Sequence, residues 1–210
     1  MYHFISCDWG TSSFRVRLVQ NSNLKLINSL ENTEIGFGRL NIPAKEMIQI
    51  LWKNVHELIK PWQLDKNLTC IISGMASSSI GIRELDYGTL PLDLSTFKIP
   101  YERLQENVYL VSGIAGSEDV MRGEEVQILG AAQSLNGQRS LAILPGTHSK
   151  HAMLKDKAMI SFKTYLSGEL FALLGQYSIL RHSLPKVKDT STDFSAFQDG
   201  LDASRGELLN

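Results

Sequence analysis

Asp8-Trp9-Gly10-Thr11-Ser12-Ser13, with Arg15 just beyond, brings together a carboxylate, a glycine, three hydroxyls and a cation. Glycine lets a ligand approach the backbone closely. Backbone N–H groups of such a turn, helped by Thr and Ser hydroxyls, can hold phosphate oxygens. A carboxylate beside phosphates suits Mg²⁺, usually through water, which points to Asp8. The same residues could also form an ordinary β-hairpin with a polar turn. A second segment, Pro145-Gly146-Thr147-His148-Ser149-Lys150, argues for more than that. At an offset of 136, Gly10 falls on Gly146, Thr11 on Thr147, Ser13 on Ser149 and Leu18 on Leu154. Two hydroxyl-rich hairpins facing each other across a cleft could grip a polyphosphate from both sides, with Lys150 adding charge. His148 and His151 lie three apart, a spacing that on a strand-turn is more often incidental than metal-ligating.

A third candidate is Met121-Arg122-Gly123-Glu124-Glu125, where a helix is expected to open. Carboxylates in a first turn suit the helix dipole without any further role. Arg122 beside them allows a stronger reading, in which a cation binds an anionic substrate and a glutamate acts as general base. The fourth is residues 73–81, rich in serine and glycine around Met75, which could line a pocket for a polyhydroxylated ligand or simply connect two elements. The chain has no G-x-x-x-x-G-K-S/T, no G-x-G-x-x-G after a strand, no H-E-x-x-H and no G-x-S-x-G.

These residues need elements to position them. Strands are expected at 2–7, 14–20 and 24–30, the second with Phe14, Val16, Leu18 and Gln20 on one face. A helix should start near Pro43, carry Met47, Ile48, Leu51, Val55, Leu58 and Ile59 on one side, and close at Pro61. Strands follow at 68–73 and 108–112, with a loop or tight helix start at 74–81 and a helix at 123–135. The opening pattern then returns as strands at 140–144, 151–154 and 158–162 and a helix at 167–180. A polar stretch at 186–193 and a helix at 194–209 complete the chain, whose last residues carry no helix stop signal and read as a helix interrupted in mid-run. The order predicts a mixed sheet with helices packed on it, and an internal duplication.

Length and composition suit this picture. The 210 residues are 43% hydrophobic and 20% charged, typical of a soluble globular chain. A net charge of −1 offers no positive field for nucleic acid. Cys7 and Cys70 are too few for a disulfide framework or a structural zinc site and fit a reducing compartment. No apolar run is long enough to span a membrane, and residues 1–10 lack the basic start of a signal peptide. A cytoplasmic protein is expected.

Together these segments resemble the actin-like ATPase superfamily, and within it the 2-dehydro-3-deoxygalactonokinase family. Residues 8–15 match that family's D-W-G-S/T-S/T-x-x-R, and residues 74–81 its G-M-x-x-S-x-x-G. Residues 120–131 match V-M-R-G-E-E-x-Q-x-x-G-A, residues 145–150 match P-G-T-H-x-K, and residues 167–170 match S/T-G-E-L. The resemblance implies an α/β, ribonuclease H-like actin-type fold of duplicated β-β-β-α-β-α-β-α domains, divided here as 1–137 and an incomplete 138–210. It also implies ATP and Mg²⁺ as cofactors and transfer of phosphate to the 6-hydroxyl of 2-dehydro-3-deoxy-D-galactonate.

Asp8 would then hold Mg²⁺ through water. Gly10, Thr11, Ser12, Ser13, Arg15, Gly146, Thr147, His148 and Lys150 would hold ATP, and Glu124 or Glu125 would be the base. Gly74, Met75, Ala76, Ser77, Arg122 and Glu169 would line the sugar acid, with Arg122 on its C1 carboxylate. Members of the family run on beyond residue 210 and supply an adenosine-binding loop there, so residues 1–210 alone should turn over little substrate. Another sugar or sugar-acid kinase of this fold, or a sugar-acid binding module without catalysis, remains open at this point, as does a homodimer.

Overall fold

A computed structural model describes residues 2–64, 67–132, 139–184 and 194–204. Three strands come first: β1 (His3–Trp9), β2 (Phe14–Gln20) and β3 (Leu26–Asn32). Helix α1 (Ala44–Ile59) follows, then β4 (Thr69–Gly74) and a 3-10 turn at Met75–Ser77. Short strands β5 (Gly88–Thr89) and β6 (Leu92–Asp93) precede β7 (Tyr101–Gln105) and β8 (Val108–Val111). Then come β9 (Ile114–Ala115), β10 (Val120–Met121) and α2 (Glu124–Ala132). The chain continues through β11 (Ser140–Leu144), β12 (Ser149–Lys155), β13 (Ala158–Tyr165), α3 (Ser167–Tyr177) and α4 (Phe194–Ala203).

The expected meander forms. β1, β2 and β3 are antiparallel, and β4 joins β1 in parallel on its other side, giving the sheet order β3-β2-β1-β4-β8-β7. Alternation sets the faces. Ile5, Cys7 and Trp9 of β1 and Phe14, Val16 and Leu18 of β2 enter one core with Met47, Leu51, Val55 and Leu58 of α1. Asp8 and Arg15, cross-strand partners, therefore lie on the opposite face. Two details depart from expectation. β3 starts later than residue 24, because the Gln20 N–H bonds to the Lys25 carbonyl and Leu24 adopts φ 55°, lengthening the turn. Val19 is buried, because the β2–β3 register slips at Leu18/Val19.

Residues 83–105 were not expected to hold strands, yet β5, β6 and β7 lie there. β5 pairs with β9 and β9 with β10 in a small sheet, while β6 extends a second sheet of order β11-β12-β13-β6. A second core joins Ile114, Met121, Ile128 and Ala132 to Ala152, Leu154, Met159 and Phe162. Helix α2 thus packs with the second sheet, although its sequence position groups it with the first. The expected helix 123–135 is described only to Ala132, and its last residues, like the 137/138 boundary, lie outside the described residues.

The chain divides into two compact units, Met1–Leu170 and Phe171–Asn210. In the second, α3 ends at Tyr177 rather than 180, because Ser178 turns extended and its hydroxyl accepts the Leu180 N–H, capping a 3-10 turn at Ile179–His182. Helix α4 ends at Ala203. The polar stretch 186–193 and the chain end lie outside the described residues. Among the described residues, no helix is long and apolar enough to cross a membrane.

Candidate functional site

The site grows from the ends of β1, β4 and β10. Asp8 sits near the end of β1, where its carboxylate is 3.4 Å from Arg15, and Arg15 reaches Glu31 on β3 at 2.9 Å. Arg15 is thus held between two carboxylates across three strands. Gly10-Thr11-Ser12-Ser13 closes with the Gly10 N–H donating to the Ser13 carbonyl at 2.8 Å. Gly36 backs this turn so closely that a Cβ there would fall 2.5 Å from the Thr11 oxygen. Thr11 and Ser12 are exposed.

The second turn, between β11 and β12, is built alike. Gly168, at the start of α3, lies against it, and a Cβ there would fall 2.3 Å from the Gly146 oxygen. The two turns meet: the Ser12 and Thr147 hydroxyls are 2.9 Å apart. His148 Nε2 lies 2.6 Å from a Glu169 carboxylate oxygen, and the Glu169 N–H donates to the Thr147 carbonyl, so α3 steadies the turn. His151 instead packs its ring on Tyr165, 4.5 Å between centroids, so the two histidines share no site.

The acidic start of α2 meets the ends of β1 and β4. Gly123 has φ +105°, a left-handed conformation that side chains disfavour, and comes within 3.4 Å (from an ideal Cβ) of the Gly74 Cα. From the same ideal Cβ, Asp8 Oδ1 is 3.8 Å away. Asp8, Gly74 and Gly123 therefore converge. Glu125 is 1% exposed, and the Gly123 N–H donates to both its oxygens, at 2.8 and 2.7 Å. Burial pushes its carboxyl up to about 8. Glu124 is half-buried and accepts from the Arg122 N–H at 3.2 Å. Burial raises its carboxyl too, the Lys150 cation opposes this, and the Asp8 charge adds to it. Burial lowers the pKa of Arg122, against the pull of Glu84, Glu125 and Glu124.

Several expected residues sit differently from a ligand-facing arrangement. Met75 is partly buried, while Ala76 and Ser77 turn inward, because the 3-10 turn after β4 folds them beneath it and the Ser77 hydroxyl donates to the Gly74 carbonyl. Lys150 is 6% exposed and its ammonium is used inside the protein. It donates to the Val120 carbonyl at 2.6 Å and to Thr164 Oγ1 at 2.5 Å, and lies 3.7 Å from Asp119. The reason is parity: Lys150 shares the inner face of β12 with Ala152 and Leu154. Asp119, Thr164 and Tyr87 are the residues sequence reasoning missed. Only the position of Asp119 immediately before the Val120–Glu125 string offered a signal.

A mixed α/β protein with two hydroxyl-rich turns in contact over a cluster of carboxylates defines a broad class; comparison with known proteins narrows it. The family model for 2-keto-3-deoxy-galactonokinase matches residues 8–210. The chain belongs to that family. It is 30% identical over 97% of its length to a probable 2-dehydro-3-deoxygalactonokinase from Rhizobium meliloti, of which it covers 66%. It is 28% identical over 92% of its length to the 2-dehydro-3-deoxygalactonokinase of Escherichia coli, of which it covers 63%. The crystal structure of a 2-dehydro-3-deoxygalactonokinase-like protein from Sinorhizobium meliloti superposes with a TM-score of 0.79 at 28% identity, over 95% of this chain and 65% of that one. The chain thus spans just under two thirds of the relatives it matches.

Proposed function

We propose that this chain carries the sugar-acid side and both phosphate turns of an ATP-dependent kinase that phosphorylates the 6-hydroxyl of 2-dehydro-3-deoxy-D-galactonate. One observation carries the reading: the Ser12–Thr147 contact joins the two turns, the first of which follows directly on the strand that bears Asp8. The matching build of the turns, each backed by a glycine, supports an actin-type fold with two related domains, 1–137 and 138–210. A cytoplasmic location fits two buried free thiols, both pushed up by burial, Cys70 to about 12.

The residues fit a Mg²⁺–ATP complex. Among the described residues no group of three or more His, Cys, Asp or Glu could cage a metal. Mg²⁺ retains most of its water and needs few carboxylates, so the half-buried Asp8 would hold it through water. Bound Mg²⁺–ATP supplies the transferable phosphoryl group and neutralises its charge. Thr11, Ser12, Ser13 and Thr147 would offer backbone and hydroxyl donors to phosphate oxygens, on turns shaped by Gly10 and Gly146, whose own N–H groups are held by the Ser13 carbonyl and Ser149 Oγ, and His148, set by Glu169, would add a donor at the rim. Arg122 binds the C1 carboxylate, a fork-shaped cation suited to a planar anion. Glu124, half-buried and raised by burial, accepts the proton of the attacking hydroxyl.

The test combines a coupled ADP-release assay on the intact reading frame with calorimetry on the 210-residue chain. The expected result is binding of 2-dehydro-3-deoxygalactonate and acid-dependent ADP release. Binding with no ADP release would make the protein a recognition module. ADP release with neutral sugars but not with the acid would overturn the substrate.

A further inference from the structure

The small sheet β5-β9-β10 gives Ile114 and Met121 to the second core, and it also brings two distant residues together. Tyr87 immediately precedes β5 and Arg122 immediately follows β10. Through their pairing with β9, the Arg122 guanidinium carbon comes to lie 4.8 Å from the centre of the Tyr87 ring. Gly113, just before β9, makes the approach possible, since a Cβ there would fall 2.9 Å from Arg122 Cγ and 2.1 Å from the Met121 oxygen. Gly113 thus lets the entry to β9 pass directly against the Met121 backbone and the stem of Arg122.

The pair is incomplete. Arg122 Nε and the Tyr87 hydroxyl are both buried with no hydrogen-bond partner. Among the described residues no carboxylate lies within ion-pair distance of Arg122; Glu84, Glu124 and Glu125 act on it only through space. Buried polar atoms are nearly always satisfied, so two that are not need an explanation, and a bound anion taken by both is one that suits their chemistry. An aromatic face under a guanidinium fixes its plane and leaves its donor edge free, the geometry that takes a carboxylate in two parallel hydrogen bonds.

We propose that Tyr87 and Arg122 form a carboxylate-binding subsite in which Tyr87 determines specificity, holding the guanidinium plane with its ring and donating its hydroxyl to the same anion. The inference rests on the kinase reading, deepening it by naming what selects a sugar acid over a neutral sugar.

Pyruvate is the probe, because it reproduces the carboxylate, keto group and adjoining carbon of a 2-keto-3-deoxy acid. Hydroxyacetone is its neutral counterpart. In nitrogen-15 NMR of the 210-residue chain, the Arg122 Nε–H resonance is identified by its loss in Arg122→Lys. Pyruvate should shift it saturably and hydroxyacetone should not. Tyr87→Phe, which keeps the ring, should weaken pyruvate a few-fold, and Tyr87→Leu about tenfold. No shift in the wild type, or equal pyruvate affinity in Tyr87→Leu, overturns the proposal. Because Tyr87→Phe removes one oxygen atom only, its unchanged melting temperature separates loss of binding from loss of fold. Neither ATP nor turnover enters the readout. A protein that shows the pyruvate response but releases no ADP keeps the subsite and loses the kinase reading.

Discussion

Glu124 and Glu125 are neighbours with opposite surroundings. Glu125 is enclosed, and the Gly123 N–H straddles its two oxygens, holding the left-handed turn that leads into α2. Glu124 remains half-buried beside Asp8 and Lys150. A base must be ionised and must reach its substrate, so under the proposed kinase reading Glu124 would take the proton, while Glu125 shapes the turn. Glu124→Gln should lower turnover by about 10²–10⁴-fold with little change in sugar-acid affinity, as removal of a general base does. Glu125→Gln should act on stability. Its folded carboxyl sits near 8 and its ordinary value is 4.5, so between those values the folded chain holds a proton that the unfolded chain has lost. Stability from this group is therefore present at low pH and declines as pH rises through that window. Melting curves at pH 5 and pH 8 should show a smaller loss for Glu125→Gln than for the wild type. Equal, small kinetic effects of the two substitutions would remove the base assignment.

At the scale of elements, β12 is tied to the segment entering α2. The Lys150 ammonium bridges Thr164 on β13 and the Val120 carbonyl of β10, with Asp119 beside it and Thr164 donating to Asp119 in turn. The tie runs from the second turn to the residues that carry Arg122 and Glu124. Lys150→Met keeps the length and removes the charge, leaving Asp119 without its cation. The expected cost is ~1–3 kcal/mol of stability. Amide exchange should quicken at residues 120–125 more than along β11–β13. Uniform quickening across the sheet would mean that Lys150 only supports packing.

This inward lysine also shows where the sequence was legible. The parity it shares with Ala152 and Leu154 was visible, but a lysine after a Gly-Thr pair reads first as a loop cation. Strand β2 and helix α1 were readable, because alternation and 3.6-residue spacing extend over seven residues or more, and β1 and β11 were readable as short apolar runs bounded by turn residues. Strands of two residues, such as β5, β9 and β10, have no period to detect. The meeting of Tyr87 with Arg122 depends wholly on their pairing, so the proposed subsite had no local signature. Ser77 and Ser78 were ambiguous for the opposite reason: polar side chains after a glycine suit a ligand pocket as well as a connector, whereas a tight 3-10 turn spends both hydroxyls on its own carbonyls.

For the molecule as a whole, the decisive feature is how much apolar surface remains open. The second sheet buries one face in its core, while its other face leaves Leu141 at 51% and Ile143 at 55% exposure. Both lie on β11, an edge strand whose described neighbour is β12 alone, whereas β1 is flanked by β2 and β4. The unit 171–210 separately exposes Phe171, Tyr177, Ile179, Phe194 and Phe197, each by two thirds or more. Scattered apolar side chains on a surface need no explanation, but contiguous ones mark contact surfaces, and an uncharged edge strand invites pairing. With a net charge of only −1, repulsion between copies does little to oppose contact. The 210-residue chain should therefore self-associate, and sedimentation velocity between about 1 and 100 μM, a span chosen to bracket the affinity of weak interfaces, should show its mean mass rising with concentration. Ile143→Lys places a charge on the β11 face without touching either core and should shift association to higher concentration while leaving the stability of the monomer within about 0.5 kcal/mol of wild type. If Ile143→Lys has no effect while Phe171→Ser suppresses association, the contact belongs to the helical unit rather than to the sheet. A wild-type chain that stays monomeric across the whole range would show that these apolar groups do not drive association.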